Sequence, residues 1–245
     1  MASHSGLSLI LLGGFEARLN GRSVSGVAYN KMRALLAYLA VERERDHRRE
    51  DLAAMFWPDN DPATARGNLR RTLADLRRTL ETPLGKDLFL VGKETIRLLP
   101  AFSSDVKDFI VALHTSHPED LPEEAAIALY RGDFLAGLSL PESPEFEEWA
   151  QAQSEALHCH ALALLETAWR RHSRTGDHGK ALWFVLRHAE LEPWDEDVHR
   201  QAMLLYARNG QKSAALEQYE ICRRILHAEL ASSPGKETQL LFTRI

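Results

Sequence analysis

The sequence predicts a mainly α-helical protein with small β elements: a winged helix-turn-helix domain followed by an α-helical tetratricopeptide-like repeat domain. Three observations predict this. Residues 62–80, PATARGNLRRTLADLRRTL, place Leu69, Leu73, Leu76 and Leu80 at i, i+4, i+7 and i+11, an apolar stripe at helical spacing. Short strand-like runs flank three helical segments within residues 7–98. A spacing of 34 residues recurs in the C-terminal part, where Gly176 matches Gly210, Ala181 matches Ala215 and Leu182 matches Leu216.

Composition bounds the answer. A chain of 245 residues fits one large domain or two ordinary ones, and 44% hydrophobic residues is too many for a disordered chain. Net charge is −5, unevenly spread. Residues 1–100 carry 16 Lys and Arg against 12 Asp and Glu, a net of +4. Residues 101–245 carry 14 against 23, a net of −9. Two domains with different partners follow, and only the first tolerates a polyanion. Cys159 and Cys222 make no disulfide framework and fit a reducing compartment. The apolar run Leu7–Leu12 is too short for a membrane span and no basic segment precedes it, so it is neither signal peptide nor anchor. A soluble cytoplasmic protein with no membrane association is expected.

Taken in order, Leu7–Leu12 suits a buried strand, Gly13-Gly14 bends it, and Phe15–Leu19 alternates like a half-buried strand. Asn20-Gly21 is a hairpin turn signal, with Arg22–Val24 returning. Helices are predicted over Asn30–Val41, with Leu35, Leu36 and Leu39 inward, and over His47–Trp57, with Leu52, Ala53 and Phe56 inward. Asp59, Asn60 or Asp61 caps the next helix, and Pro62 fits its first turn. Leu88–Val91 and Thr95–Leu98 form a hairpin across Gly92-Lys93-Glu94, the wing of a winged helix. Pro100–Ser104 is expected as a linker between a first domain of residues 1–102 and a second of residues 103–245. The rest is helical, opening at Asp105–Leu113, punctuated at Pro118–Pro122, at Gly132 and over Gly137–Pro144, with one long helix from Glu145 to about Arg174. Tyr206, Ala215 and Tyr219 then take the aromatic and small positions of a tetratricopeptide repeat, whose first copy ends at Pro193.

The helix of residues 62–80 carries the chemistry. Opposite its leucines lie Gly67, Arg71, Ala74 and Arg78, flanked by Arg66, Arg70 and Arg77 on one side and by Asn68 and Asp75 on the other. That is five arginines against one acid. Arg and Asn side chains fork onto guanine and adenine edges, and Arg also clamps phosphates. The competing reading is a solvated basic face on an ordinary helix. Strands, three helices and a hairpin around this helix favour DNA.

The opening LSLILLGGFEARLNGRSV and the run KMRALLAYLA with REDLAAMFWPDNDPATARGNLRRTLADLRRTL resemble the winged-helix domain of the Streptomyces antibiotic regulatory protein family. Leu129–Leu135 (LYRGDFL), Phe146–Trp149 (FEEW), His188–Glu196 (HAELEPWDE) and the closing Glu229-Leu230, Ser233-Pro234 and Glu237-Thr238 resemble its bacterial transcriptional activator domain. The resemblance spans nearly all of residues 7–245. It implies a promoter-binding activator with an OmpR-type winged helix, which binds short direct repeats as side-by-side protomers and contacts RNA polymerase. The recognition helix maps onto Pro62–Leu80 and the wing onto Phe89–Leu98, and the activator domain is the regulatory and interaction part. No phosphoacceptor receiver domain is expected ahead of the winged helix, so control is expected to arise elsewhere. The chain ends where the activator domain ends, as a short complete regulator or as the front of a longer protein.

No catalytic or cofactor constellation emerges, and an enzyme is not expected. Gly176–Lys180 lacks phosphate-loop spacing and reads as a helical-repeat turn. His158-Cys159-His160 sit at i and i+2, on different helix faces, so no metal site is expected. Asp195-Glu196-Asp197 is an acidic helix start. The expected partner is double-stranded DNA, with self-association on it. Arg71 and Arg78 are assigned to the groove, with Asn68 next. Thr64, Arg66 and Arg70 are assigned to phosphates, and Lys93 and Arg97 act from the wing. The alternative is a protein-interaction adaptor whose repeat domain binds a partner and whose winged helix is structural.

Overall fold

Strand β1 (Leu7–Ile10) buries Leu7 and Leu9 and starts a sheet whose order is β3-β2-β1-β7. A computed structural model describes residues 6–114 and 123–245. The punctuation expected at Pro118–Pro122 lies outside the described residues. β2 (Glu16–Leu19) runs antiparallel to β1 with Leu9 opposite Ala17, and β3 (Arg22–Ser23) returns beside it. The turn is the predicted one. Asn20 and Gly21 both have left-handed backbone, at φ 50° and 80°, as a two-residue hairpin with matching twist requires.

The expected linker is corrected. Residues Phe102–Ser104 are strand β7, parallel to β1 with Leu7 opposite Phe102 and Leu9 opposite Ser104. The edge of β1 carries unpaired peptide groups that a further strand satisfies, and Phe102 buries its ring there.

Helix α1 (Asn30–Val41) buries Leu35, Leu36 and Leu39 as predicted, with Met32 beside them. The second helix starts later than expected. His47 and Arg48 form strand β4, and α2 covers Arg49–Phe56. His47 pairs with Ile96, its ring is buried, and its Nε2 lies 2.9 Å from the Glu42 carbonyl oxygen. A bare two-stranded hairpin is marginal. β4 adds the third strand to β5 (Phe89–Val91) and β6 (Thr95–Leu98), in the order β4-β6-β5. Between α2 and this sheet runs α3 (Pro62–Leu84), one turn longer than predicted and stopped at Gly85, φ 64°.

Two compact units divide the chain, residues 1–158 and 159–245. The first contains the winged helix and also α4 (Asp105–His114), α5 (Glu123–Leu129) and the start of α6 (Pro144–Thr175). Asp105 ties these pieces together. Its carboxylate accepts from the backbone N–H of Leu11 (2.9 Å), Leu12 (3.1 Å) and Val106 (2.9 Å) and from Arg131 Nη2 (2.8 Å). The Gly13-Gly14 bend receives the segment RGDFL. Gly13 N–H donates to the Asp133 carbonyl (3.0 Å), and Leu135 N–H donates to the Leu11 carbonyl (2.8 Å). Gly13 has φ +91°, a backbone that strains any side chain, and a Cβ there would sit 3.1 Å from the Arg131 Cβ, so Arg131 would also have to give way. Beyond it Tyr38, Phe56, Phe146 and Trp149 form an aromatic cluster, with Tyr38 and Trp149 centroids 4.8 Å apart and Phe56 and Phe146 5.3 Å apart. Trp149 Nε1 donates to Glu42 Oε1 at 3.0 Å.

The second unit is the helical repeat. The end of α6 is followed by α7 (His178–Leu191), α8 (Glu196–Arg208), α9 (Lys212–Leu230) and α10 (Lys236–Arg244). Helices α7 and α9 begin 34 residues apart, preceded by Gly176 (φ 81°) and Gly210 (φ 73°) in the same left-handed turn. Ala181 and Ala215 are fully buried, as the close crossing of paired helices requires. The copies differ at their ends. α7 stops before Pro193, whereas His227 imposes no break and α9 runs on to Leu230. Glu196 holds α10, accepting from Gly235 N (2.8 Å) and Thr238 Oγ1 (2.6 Å), and Tyr219 stacks on Phe242 at 4.2 Å.

Asp105→Ala strands the Leu11 and Leu12 N–H groups in a buried place. It is expected to lower the unfolding free energy of the first unit by about 3 kcal/mol, read from denaturant titration of the full chain. Gly13→Ala is expected to cost roughly 2 kcal/mol by the same measurement.

Candidate nucleic-acid interface

Helix α3 is held at both ends and along one face. Asp61 is the cap, its carboxylate accepting from Ala63 N (3.0 Å) and Thr64 N (3.1 Å). The Thr64 hydroxyl and these amides keep the Asp61 carboxyl below the ordinary aspartate range. Ala65, Leu69, Thr72, Leu73, Leu76 and Leu80 are buried, the predicted stripe with its neighbours. In the last turn Glu81 accepts from Leu88 N (2.8 Å) and Phe89 N (2.9 Å), and from Arg77 Nε at 2.6 Å. One carboxylate therefore joins the end of the helix to the first strand of the wing. Burial pushes the Glu81 carboxyl up, but the Phe89 and Leu88 amides and Arg77 outweigh it, and the net shift is downward.

The remaining face is exposed and cationic, and its charges are not equivalent. Arg70 and Arg71 are exposed with no carboxylate partner among the described residues. Arg78 is exposed but donates to Asp75 at 2.7 Å, and Asp75 also accepts from the Tyr29 hydroxyl at 3.4 Å. Arg66 lies 3.6 Å from Glu50. Asn68 is half-buried and donates to Asn60 Oδ1 at 3.3 Å. Thr64 is exposed at the first turn. On the wing, Lys93 sits at the exposed tip, without a carboxylate partner among the described residues, where Gly92 N–H donates to the Thr95 carbonyl at 2.9 Å. Arg97 points instead to Asp46, with Nε 2.7 Å from its carboxylate.

Two of the clefts beside α3 bear on this face. One, about 220 Å³, is lined by Arg48, Arg49, Glu50, Arg66, Lys93 and Glu94, and brings the start of α2, the first turns of α3 and the wing together. The Arg49 N–H donates to the Glu94 carbonyl at 2.8 Å, which fixes the wing tip beside α2. Arg48 and Arg49 are not among the residues that the sequence pattern assigns to the interface. Two adjacent arginines in front of a helix were the available signal, and the strand pairing of His47–Arg48 brings them to the wing. The other cleft, about 570 Å³, lies on the opposite flank of α3 between Asn68, Arg71, Tyr29, Lys31 and the segment Ser139–Glu142.

Residues 102–245 match the family model described as the bacterial transcriptional activator domain. The chain belongs to that family. With the winged helix ahead of the helical repeat it has the arrangement of the Streptomyces antibiotic regulatory protein type, and it is a member of a transcriptional-regulator family. The transcriptional regulatory protein MoaR1 of Mycobacterium tuberculosis (strain H37Rv) is 25% identical over 248 residues, covering 96% of this chain and 78% of MoaR1. MoaR1 of Mycobacterium bovis (strain BCG) gives the same figures. EmbR of Mycobacterium tuberculosis, solved in complex with a low-affinity phosphopeptide, shares the fold with a TM-score of 0.63 at 22% identity. That match covers 98% of this chain and 64% of the EmbR chain, so this chain spans just under two thirds of its length. No described helix is long and apolar enough to cross a membrane, and no group of His, Cys, Asp or Glu among the described residues is arranged to hold a metal ion.

Glu81 ionises more readily in the folded chain than in the unfolded one, so its stabilisation is present above the ordinary glutamate range and is lost as pH falls through the depressed pKa. Glu81→Gln is expected to speed amide exchange at Leu88 and Phe89 about tenfold at neutral pH. The difference from wild type is expected to vanish in strong acid, with hydrogen exchange resolved at those two amides as the measurement.

Proposed function

We propose that this protein is a sequence-specific DNA-binding transcriptional activator. In this reading residues 1–102 form the DNA-binding part, which binds promoter direct repeats through α3 and the wing. Residues 103–245 are the regulatory part, which contacts RNA polymerase or another partner. The observation that carries it is the exposed face of α3: arginines without internal partners on a helix whose opposite face and both ends are immobilised. A helix so fixed presents its side chains to a groove at little further entropic cost.

Arg71 and Arg78, with Asn68 beside them, are assigned to base edges, and Thr64, Arg66 and Arg70 to the phosphates that set the helix in place. Lys93 and Arg97 are assigned to the flanking backbone from the wing. Arg66, Arg78 and Arg97 already hold carboxylates, so each exchanges one acceptor for another on binding, and removal of any of them costs less than removal of a free cation. The family resemblance, and relatives named as transcriptional regulators, support the promoter and polymerase parts of the reading.

Selection of bound sequences from a random duplex pool at low and at physiological salt tests this. The expected result is enrichment of a direct repeat with half-sites about one helical turn apart, roughly 34–36 Å, bound by paired protomers. Binding at low salt with no enriched motif would reduce the role to phosphate attraction. Absence of binding at both would favour the adaptor.

Arg71→Ala is expected to weaken operator binding by about 1–3 kcal/mol and to relax preference at one base position. Arg70→Ala and Lys93→Ala are expected to weaken binding to all sequences alike and to reduce the salt slope by about one each. Anisotropy titrations over a salt series distinguish the two behaviours; an Arg71→Ala variant that binds and discriminates like wild type would move the recognition surface off α3.

A further inference from the structure

The cleft between α3 and the segment Ser139–Glu142 holds a cation that neither the arginine pattern nor the family resemblance singles out. Lys31, in the first turn of α1, lines it together with Trp57, Asn68 and Arg71, and Glu142 forms part of the facing wall. The Lys31 side chain is only 20% exposed, and its ammonium lies 5.5 Å from the centre of the Trp57 ring. That ammonium is 3.4 Å from Glu142, whose side chain is 46% exposed. Glu142 is no freely moving surface acid. The next residue, Ser143, is buried and donates its hydroxyl to the Phe56 carbonyl at 3.1 Å, and Asn30 Nδ2 donates to the Ser139 carbonyl at 3.4 Å. The segment following the RGDFL motif is thus pinned against the winged helix, with its carboxylate on the one buried-stemmed lysine of the cleft.

A carboxylate and a phosphodiester present the same kind of anionic oxygen to an ammonium. The pair is open to solvent on its Glu142 side and is weakened there by salt screening, so a polyanion competes with the carboxylate for the ammonium. We infer that Lys31 is a further phosphate-binding residue of the interface and that Glu142 is its intramolecular competitor. Binding of a duplex exchanges the Glu142 carboxylate for a DNA phosphodiester on Lys31. The activator part thereby sets the affinity of the winged helix through one charge. This inference rests on the DNA-binding reading above.

The test uses the full chain as wild type, Glu142→Gln, Lys31→Met and the double variant, with methionine keeping the apolar stem against Trp57. Anisotropy is measured over a salt series on a duplex of the selected sequence and on one of random sequence. Thermal melting of each protein checks that the fold is kept. Glu142→Gln is expected to tighten binding to both duplexes about threefold to tenfold at low salt and to steepen the salt slope by about one. Lys31→Met is expected to weaken binding to both and to abolish the gain from Glu142→Gln in the double variant. The inference is overturned if Glu142→Gln changes neither affinity nor slope while wild type binds. It is equally overturned if the gain persists without Lys31, since Glu142 then acts as a general negative charge. Failure of all four proteins to bind either duplex would overturn the DNA-binding reading along with it.

Discussion

The first unit depends on the Asp105 carboxylate. Strand β1 runs out at the Gly13-Gly14 bend, and there Leu11 and Leu12 turn their N–H groups inward with no strand to receive them. Asp105 takes both, caps its own helix through Val106, and holds the Arg131 guanidinium. A buried charge is tolerable only when its lone pairs are filled and a countercharge is near, and here both conditions are met by groups far apart in sequence. The LYRGDFL patch follows from this. Its arginine neutralises Asp105, its glycine passes the Gly13 backbone closely, and Leu135 completes the ladder with a left-handed backbone at φ 54°.

The same logic organises helix α3 on a smaller scale. Leucines fix which face looks inward, while Asp61 and Glu81 fix where the helix begins and how the wing leaves it. Glu81 takes up Arg77, so one of the five arginines is structural and the cationic face is narrower than composition suggests. What remains is graded. Arg70, Arg71 and Lys93 stand free of carboxylates among the described residues, whereas Arg66, Arg78 and Arg97 are neutralised internally. A modest net charge of +4 over residues 1–100 is compatible with an anion-binding surface because Arg70, Arg71 and Lys93 carry no carboxylate partner among the described residues.

Much of this was legible in the chain. The leucine spacing of α3, the Asn20-Gly21 hairpin and the 34-residue echo of Gly176 in Gly210 are local signals, and local geometry reproduces them. The errors fell where a residue's conformation is decided by something distant. His47 and Arg48 continue a helical pattern but pair with Thr95 and Ile96, and Phe102–Ser104 looks like a linker until β1 offers its edge. Charge pairing was equally hidden. Nothing near Arg97 announces Asp46, and nothing near Lys31 announces Glu142, because those partners lie 51 and 111 residues away.

The closing strand β7 and the Asp105 knot bear on how this architecture can be inherited. A gene cut at residue 102 would leave β1 with an open edge and two inward amides without acceptors, and would strip Tyr38 and Phe56 of Trp149 and Phe146. The winged helix is therefore not a detachable cassette. A recombination event that exchanges the winged helix has to carry the chain through Trp149 with it, so the winged helix and the opening helices of the activator domain descend as one unit of selection.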